Sequence, residues 1–140
     1  MDFDKANRLV DAVVSEAVAG AVQGIAREAH AVACQNGFWG DKHPEEPARL
    51  HGEIDPETVA AYLCGIHSEV SEAYDALRTG QTAIEYEADG KPVGLPIELA
   101  DAVMAALSLA EGLGVDIAAA IRIKLAFNRT RAHMHGGKLL

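Results

Sequence analysis

The stretch PETVAAYLCGIHSEVSEAYDALR, residues 56–78, decides the fold. Asp55 as a capping residue, Pro56 in the first turn and Glu57 near the positive end of the helix dipole are typical of a helix start. Apolar residues then recur at spacings of three and four, which predicts a helix with one buried face. The predicted buried stripe consists of Val59, Leu63, Ile66, Val70, Ala73 and Leu77.

Helical patterns continue on the N-terminal side of this stretch. Residues 3–35 suit one long helix or two shorter ones, with Gly20 and Gly24 as weak points because each glycine costs about 1 kcal/mol relative to alanine. Asn36-Gly37 predicts the end of that helix, since both residue types readily adopt the left-handed conformation that closes a last turn. A loop follows.

The sequence on the C-terminal side of residues 56–78 predicts two more helices. Residues 79–94 contain several glycines and charges and predict a loop, with a short hairpin around Asp89-Gly90. Pro96 suits the start of a helix that ends near residue 109 or 111. Asp116 predicts the cap of a last helix, which runs to about residue 131.

Composition supports the same fold class. Aromatic residues make up only 5% of the 140 residues, and the 49% of hydrophobic residues are mostly Ala, Val, Ile and Leu. We therefore predict an all-α protein, a helical bundle of four to five helices forming a single domain over residues 1–140. Residues 1–32 are predicted to be an N-terminal helical segment. The apolar content exceeds what short helices bury alone, so we expect oligomerisation to complete the bundle.

Charge and cysteine content exclude several classes of function. A net charge of −9 argues against binding a nucleic acid polymer or an anionic membrane. A secretory signal and an apolar run of about 18 residues are both lacking, so we expect a cytoplasmic protein. Cys34 and Cys64 are too few for a disulfide framework or a zinc cluster, and we expect both to be buried packing residues.

Two carboxylate pairs carry the predicted chemistry. Glu69-x-x-Glu72 and Glu98-x-x-Asp101 lie on two predicted helices, and residues three apart on a helix share a face. If the two helices pack together, four acids meet, and they repel one another unless cations neutralise them. Carboxylate oxygens are the ligands that Mg²⁺ prefers. The spacing thus predicts a Mg²⁺ site, with Mn²⁺ as an alternative ion.

Each pair also has a simpler interpretation. Glutamates three apart, such as Glu69 and Glu72, are common on solvated helix faces. Glu98 and Asp101 lie near a helix start, where each acid stabilises the helix by about 0.3–1 kcal/mol.

Polar residues on the last predicted helix suit phosphate. Lys124, Asn128 and Arg131 fall at positions i, i+4 and i+7, and Lys138 follows in the basic tail. Lysine and arginine bind phosphate oxygens, and an asparagine amide can donate to them. The alternative is a solvated cationic end that offsets the negative pole of the helix.

The ordered set of these motifs resembles the MazG-like nucleotide pyrophosphohydrolases of the all-α NTP pyrophosphatase superfamily. The resemblance covers about residues 33–138. It is carried by EVSE at 69–72, GKPVGLPIELAD at 90–101, KLAFNRTR at 124–131 and HGGK at 135–138.

The resemblance implies roles for individual residues. Mg²⁺ would be held by Glu69, Glu72, Glu98 and Asp101. The triphosphate would contact Lys124 and Asn128, with Arg131 and Lys138 as further contacts. Trp39 lies in the segment 37–39, which resembles the family's stretch before the catalytic helices, where an aromatic stacks on the base; a tryptophan beside a turn is as often a packing residue. A homodimer or homotetramer is also implied.

Together, the residues and the resemblance predict a Mg²⁺-dependent hydrolase that cleaves a (d)NTP to a (d)NMP and pyrophosphate. Glu69 or Glu72 would be catalytic and position or deprotonate the attacking water. The alternative is a non-catalytic helical module that binds a protein partner. A ferritin-like di-iron protein is disfavoured, because that site needs Glu-x-x-His on two helices.

Overall fold

The computed structural model describes Arg8, residues 15–40 and residues 56–131. These residues form four helices and one hairpin, which confirms the all-α prediction. The elements are α1 (Glu16–Gln35), α2 (Pro56–Arg78), β1 (Glu85–Tyr86), β2 (Pro92–Val93), α3 (Leu95–Gly112) and α4 (Ile117–Arg129). The two strands are antiparallel, with Glu85 opposite Val93.

The chain divides into two compact units. One is Ala26–Val115, which contains the second half of α1, helix α2, the hairpin and α3. The other combines the chain up to Ile25 with the chain from Asp116, and so contains the first turns of α1 and helix α4. The assignment of residues 1–140 to one domain stays a prediction.

Helix ends follow the local chemistry of the sequence. Helix α1 continues through Gly20 and Gly24 and ends at Gln35, as predicted. Gly37 follows with a φ of 83°, and its N–H donates to the carbonyl of Cys34 while the N–H of Phe38 donates to that of Ala33. This is the Schellman pattern, in which a left-handed glycine satisfies the last carbonyls of the helix.

Helix α4 begins with a side-chain cap. The carboxylate of Asp116 accepts a hydrogen bond from the N–H of Ala119 at 2.9 Å, which confirms the predicted cap. The helix ends at Arg129, two residues before the predicted end. The predicted cap of α2, Asp55, lies outside the described residues.

A small core holds the unit Ala26–Val115 together. Cys34, Trp39 and Leu109 are buried, and Tyr62 and Ile66 of α2 pack against them. Helices α2 and α3 pack against each other. The two helices run antiparallel. Tyr62, near the start of α2, packs on the cluster that contains Leu109 of the last turns of α3, whereas Glu69 and Glu72 lie beside Glu98 in the first turn of α3.

A polar network crosses this core. The Nδ1 of His30 lies 3.2 Å from the Oγ of Ser108, which also accepts a hydrogen bond from the indole N–H of Trp39 at 3.1 Å. The Nε2 of His30 lies 3.5 Å from the Sγ of Cys34. Desolvation lowers the pKa of His30, although the charge of Glu111 and the backbone of Ser108 act in the opposite direction. Burial therefore favours the neutral form of the ring.

The buried face of α2 differs from the predicted stripe. Ala73 is buried and Val59 and Ile66 are half-buried, as predicted, but Leu63, Val70 and Leu77 are 48%, 53% and 51% exposed. The inward face keeps Ile66 and Ala73 of the predicted stripe, but elsewhere it uses the residue that precedes each exposed leucine or valine. It consists of Tyr62, Ile66, Glu69, Ala73 and Ala76. The exposed stripe is consistent with oligomerisation, which stays a prediction.

Two further expectations concern surface properties. Cys34 is buried, but the prediction that Cys64 is buried is wrong, because its side chain is exposed on α2.

No single helix among the described residues is long and apolar enough to cross a membrane; α3 and α4 reach that length and composition only when counted as a pair.

Candidate metal centre

Three of the predicted carboxylates converge between α2 and α3. One oxygen from each of Glu69, Glu72 and Glu98 lies within 4.8 Å of the other two. Glu69 and Glu72 are three residues apart on α2, and Glu98 lies in the first turn of α3. The spacing therefore does bring side chains from two helices to one point, as the sequence predicts. Asp101, one turn farther along α3, is not part of this close group.

The start of α3 is fixed by the glycine that precedes it. Gly94 has a φ of 110°, and a Cβ there would collide with the carbonyl oxygen of Ala83. The N–H of Leu95 donates to the carbonyl of Gln81 at 2.8 Å, and the N–H of Glu98 donates to that of Gly94 at 3.1 Å. The first turn of α3 is thus tied to the chain that leaves α2, which sets Glu98 opposite the acids of that helix.

Neighbouring acids raise the pKa of two members of this group, Glu69 and Asp101. Desolvation raises the pKa of Glu69, and the charges of Glu72, Asp101 and Glu98 raise it further. Desolvation and the charge of Glu72 also raise the pKa of Asp101, while the ammonium of Lys91 acts in the opposite direction. Asp101 and Glu69 thus act on each other through their charges, although the carboxylate of Asp101 is not within the close group of three.

This donor set suits a hard divalent cation. An octahedral Mg²⁺ with oxygens at roughly 2.0–2.1 Å places its ligands about 2.9–4.2 Å apart. The observed spread of up to 4.8 Å requires only a small contraction of side chains. The set contains carboxylates and neither thiolate nor imidazole, which is the chemistry of Mg²⁺ and Mn²⁺ sites rather than of zinc sites. A cation there would also relieve the repulsion that raises the pKa of Glu69.

The predicted phosphate-binding residues belong to the other compact unit. Lys124 and Asn128 are exposed on α4, and Arg131 is exposed two residues beyond its end. The ammonium of Lys124 lies 5.1 Å from the centre of the Phe127 ring, a cation–π contact. Lys138 lies outside the described residues. Phosphate binding by these side chains stays a prediction.

Trp39 occupies a packing position. Its side chain is 7% exposed, and its ring stacks on Tyr62 with centroids 4.2 Å apart. Gly112 lies directly against the indole, where a Cβ would collide with the ring. This favours the packing alternative for Trp39, and base contact stays a prediction. Phe38 is 71% exposed, and its carbonyl accepts a hydrogen bond from the hydroxyl of Tyr62 at 2.6 Å.

Sequence reasoning did not assign a role to Lys91. This residue lies in the hairpin that joins α2 to α3, and its charge acts on Asp101. The signal was present in the sequence, because Lys91 belongs to the GKP tripeptide that leads into the second acidic pair. The side chain's direction depends on the hairpin register, which the sequence alone leaves undetermined.

Comparison with known proteins gives one partial match. A stretch of 37 residues is 57% identical to a dATP/dGTP diphosphohydrolase of Cyanophage S-2L, covering 26% of this chain and 35% of that protein. The match therefore spans about a third of the relative's length. No protein-family model and no solved structure matches the chain. Membership of the MazG-like family accordingly stays a prediction.

Proposed function

We propose that this protein is a Mg²⁺-dependent nucleoside triphosphate pyrophosphohydrolase, which hydrolyses the bond between the α and β phosphates. The observation that carries the proposal is the convergence of three carboxylate oxygens from α2 and α3 within 4.8 Å. The local 57% identity to a dATP/dGTP diphosphohydrolase supports nucleotide hydrolysis as the reaction class. The products would be a nucleoside monophosphate and pyrophosphate.

The carboxylates would hold the ion, and one of them would also act on water. The ligands are Glu69, Glu72, Glu98 and Asp101, with Mn²⁺ as an alternative to Mg²⁺. When bound, the ion offsets negative charge on the phosphates and on the pyrophosphate that leaves. Glu69 or Glu72 orients the attacking water and accepts its proton at a carboxylate oxygen. The half-buried position of Glu69 limits competing solvent around that oxygen.

Residues outside the acidic cluster would position the polyphosphate. Lys124 and Asn128 contact phosphate oxygens, with Arg131 and Lys138 as further contacts, and so align the scissile bond with the water. A homodimer or homotetramer would cover the exposed apolar stripe of α2. The partial relative makes dATP and dGTP the first substrates to test.

The exposed face of α2 favours a second candidate function, a non-catalytic helical module that binds another protein. Leu63, Val70, Tyr74 and Leu77 are all exposed and lie along one side of this helix. A contiguous apolar stripe of this kind is typical of an interaction surface. Under this alternative the acids are solvated and divalent cations have no effect on stability.

A nucleotide panel distinguishes the two functions. Wild-type protein, Glu72→Gln and the control Glu87→Gln, an exposed glutamate at the end of the hairpin, are incubated with each dNTP and NTP in Mg²⁺. We expect pyrophosphate release by the wild type and by Glu87→Gln, and a loss of at least about 100-fold in Glu72→Gln. Equal activity in Glu72→Gln, or activity that survives a chelator, would contradict the proposal.

A further inference from the structure

We propose that His30 is a pH switch within the unit Ala26–Val115. While its ring is neutral, a chain of hydrogen bonds holds the end of α1 and the turn that follows it, residues 36–40, against α3. When the ring gains a proton, this chain breaks and the turn is released to solvent. The inference is independent of the proposed function, because its hydrogen-bonding groups are separate from the acidic cluster.

The switch is a buried cluster of groups from two parts of the chain. His30 is 3% exposed and Ser108 is 6% exposed. The indole N–H of Trp39 donates to the Oγ of Ser108 at 3.1 Å, and the Nδ1 of His30 lies 3.2 Å from the same oxygen. The rings of His30 and Trp39 also meet edge to face, with centroids 4.9 Å apart. Ser108 of α3 therefore joins α1 to the turn through one hydroxyl.

The hydrogen-bond chain has one direction when the ring is neutral. An indole N–H can only donate, so the Oγ of Ser108 must accept from Trp39. The hydroxyl proton of Ser108 then finds its acceptor at the Nδ1 of His30. This assigns the ring proton to Nε2, which lies 3.5 Å from the Sγ of Cys34. Each donor of the chain thus has one acceptor.

Protonation of the ring reverses the central bond of this chain. An imidazolium carries a proton on both nitrogens and can only donate. The Nδ1–H of His30 and the indole N–H of Trp39 then both point at the Oγ of Ser108, whose own proton loses its acceptor in the chain. The new charge also lies where the side chain is almost wholly shielded from water, which is unfavourable.

Three other titratable groups surround the ring, one from each helix of the cluster. On α3, the charge of Glu111 favours the protonated ring, but desolvation outweighs it and the pKa of His30 is lowered. On α1 and α2, desolvation raises the pKa values of Cys34 and Tyr62, so both are neutral when His30 titrates. Exposure to water removes the desolvation of His30. The released state therefore binds more protons, and acid favours it.

The test uses Trp39 as a probe, because it is the only tryptophan of the chain. Tryptophan emission and far-UV circular dichroism are recorded from about pH 8 to about pH 5 in a chelator. Wild type is compared with His30→Asn, whose amide oxygen can accept from Ser108 but does not titrate, and with the control His67→Gln, an exposed histidine of α2. NMR of the wild-type His30 ring gives its protonation midpoint.

We expect a reversible red shift of the emission on acidification in the wild type and in His67→Gln, with the helical signal retained. Its midpoint should coincide with protonation of the His30 ring, and His30→Asn should show no shift over the same range. If His30→Asn does not fold, the two wild-type midpoints decide. Constant emission in the wild type, midpoints that differ, a shift that persists in folded His30→Asn, or a simultaneous loss of helical signal would overturn the switch.

Discussion

Glu69 lies one helical turn before Ala73 on the face of α2 that packs against α3. Ala73 is only 4% exposed, and Glu69 is half-buried. The carboxylate of Glu69 therefore lies on the same helix face as a core alanine, one turn away. Burial of an ionised group is unfavourable unless it is paired or bound to a metal. We therefore expect a bound cation at the acidic cluster to stabilise the folded protein.

Replacing Glu69 with Gln should stabilise the metal-free protein. Desolvation and three neighbouring acids raise the pKa of Glu69, and a neutral amide removes both penalties. We expect the Tm in a chelator to rise by a few degrees, since about 1 kcal/mol corresponds to roughly 4 °C in a domain of this size. Differential scanning calorimetry measures the shift.

The same variant should lose its response to Mg²⁺. We expect the Tm of the wild-type protein to rise when Mg²⁺ is added, and the Tm of Glu69→Gln to rise by much less. The control is Glu28→Gln, an exposed glutamate of α1, which should behave as the wild type in both conditions. A lower Tm for Glu69→Gln in chelator would show that the carboxylate stabilises the fold without a cation.

Stabilisation by Mg²⁺ should increase with pH. The pKa values of Glu69 and Asp101 are raised in the folded protein, so the folded state binds more protons than the unfolded state just above the ordinary carboxyl range. The contribution of these two groups to stability falls as pH rises from about 4 through the raised values. Ionised carboxylates are also the form that binds Mg²⁺.

Thermal melts with and without Mg²⁺ at about pH 5 and about pH 7.5 test this dependence. The gain in Tm should be larger at the higher pH. A gain that is equal at both values would mean that the ion binds elsewhere, because only the cluster couples Mg²⁺ to these protons.

Ser108→Ala should destabilise the unit Ala26–Val115. The hydroxyl of Ser108 accepts from the indole of Trp39 and bonds to His30, and alanine leaves both buried groups without this partner. We expect the free energy of unfolding in urea to fall by about 1–3 kcal/mol. Ser71→Ala on α2 is the control, since its hydroxyl is exposed. A similar stability for both variants would contradict a structural role for the network.

Gly94→Ala should destabilise the protein and weaken Mg²⁺ binding together. The residue has a φ of 110°, and a Cβ would strike the carbonyl of Ala83, so the start of α3 must shift and move Glu98. We expect a loss of at least about 2 kcal/mol. Gly65→Ala on α2, where a Cβ meets nothing within 4 Å, should instead stabilise by about 1 kcal/mol. Normal Mg²⁺ affinity in Gly94→Ala would contradict the positioning role.

Helix boundaries were predictable because they depend on local chemistry. Asp116 caps α4 through its own side chain, and Gly37 closes α1 through its left-handed backbone. The inward face of α2 was not predictable in the same way. Glu69 and Val70 are adjacent on that helix, and which of the two is turned inward depends on where α3 packs, which no local pattern specifies.

The acidic cluster was likewise predictable only as far as local spacing determines it. Spacing alone indicated which carboxylates share a helix face, and the structure brings Glu69, Glu72 and Glu98 together. Trp39 was open to two interpretations, and only the position of Ser108, 69 residues later, gives its indole a buried partner.

The most direct test of the central claim is the identity of the products formed from dATP in Mg²⁺, followed by phosphorus NMR. The proposed hydrolase yields dAMP and pyrophosphate in equal amounts, and the reaction is abolished both by a chelator and by Glu98→Gln. Release of orthophosphate with dADP, or an unchanged rate in Glu98→Gln, would contradict the assignment of the carboxylate cluster as a metal-dependent catalytic centre.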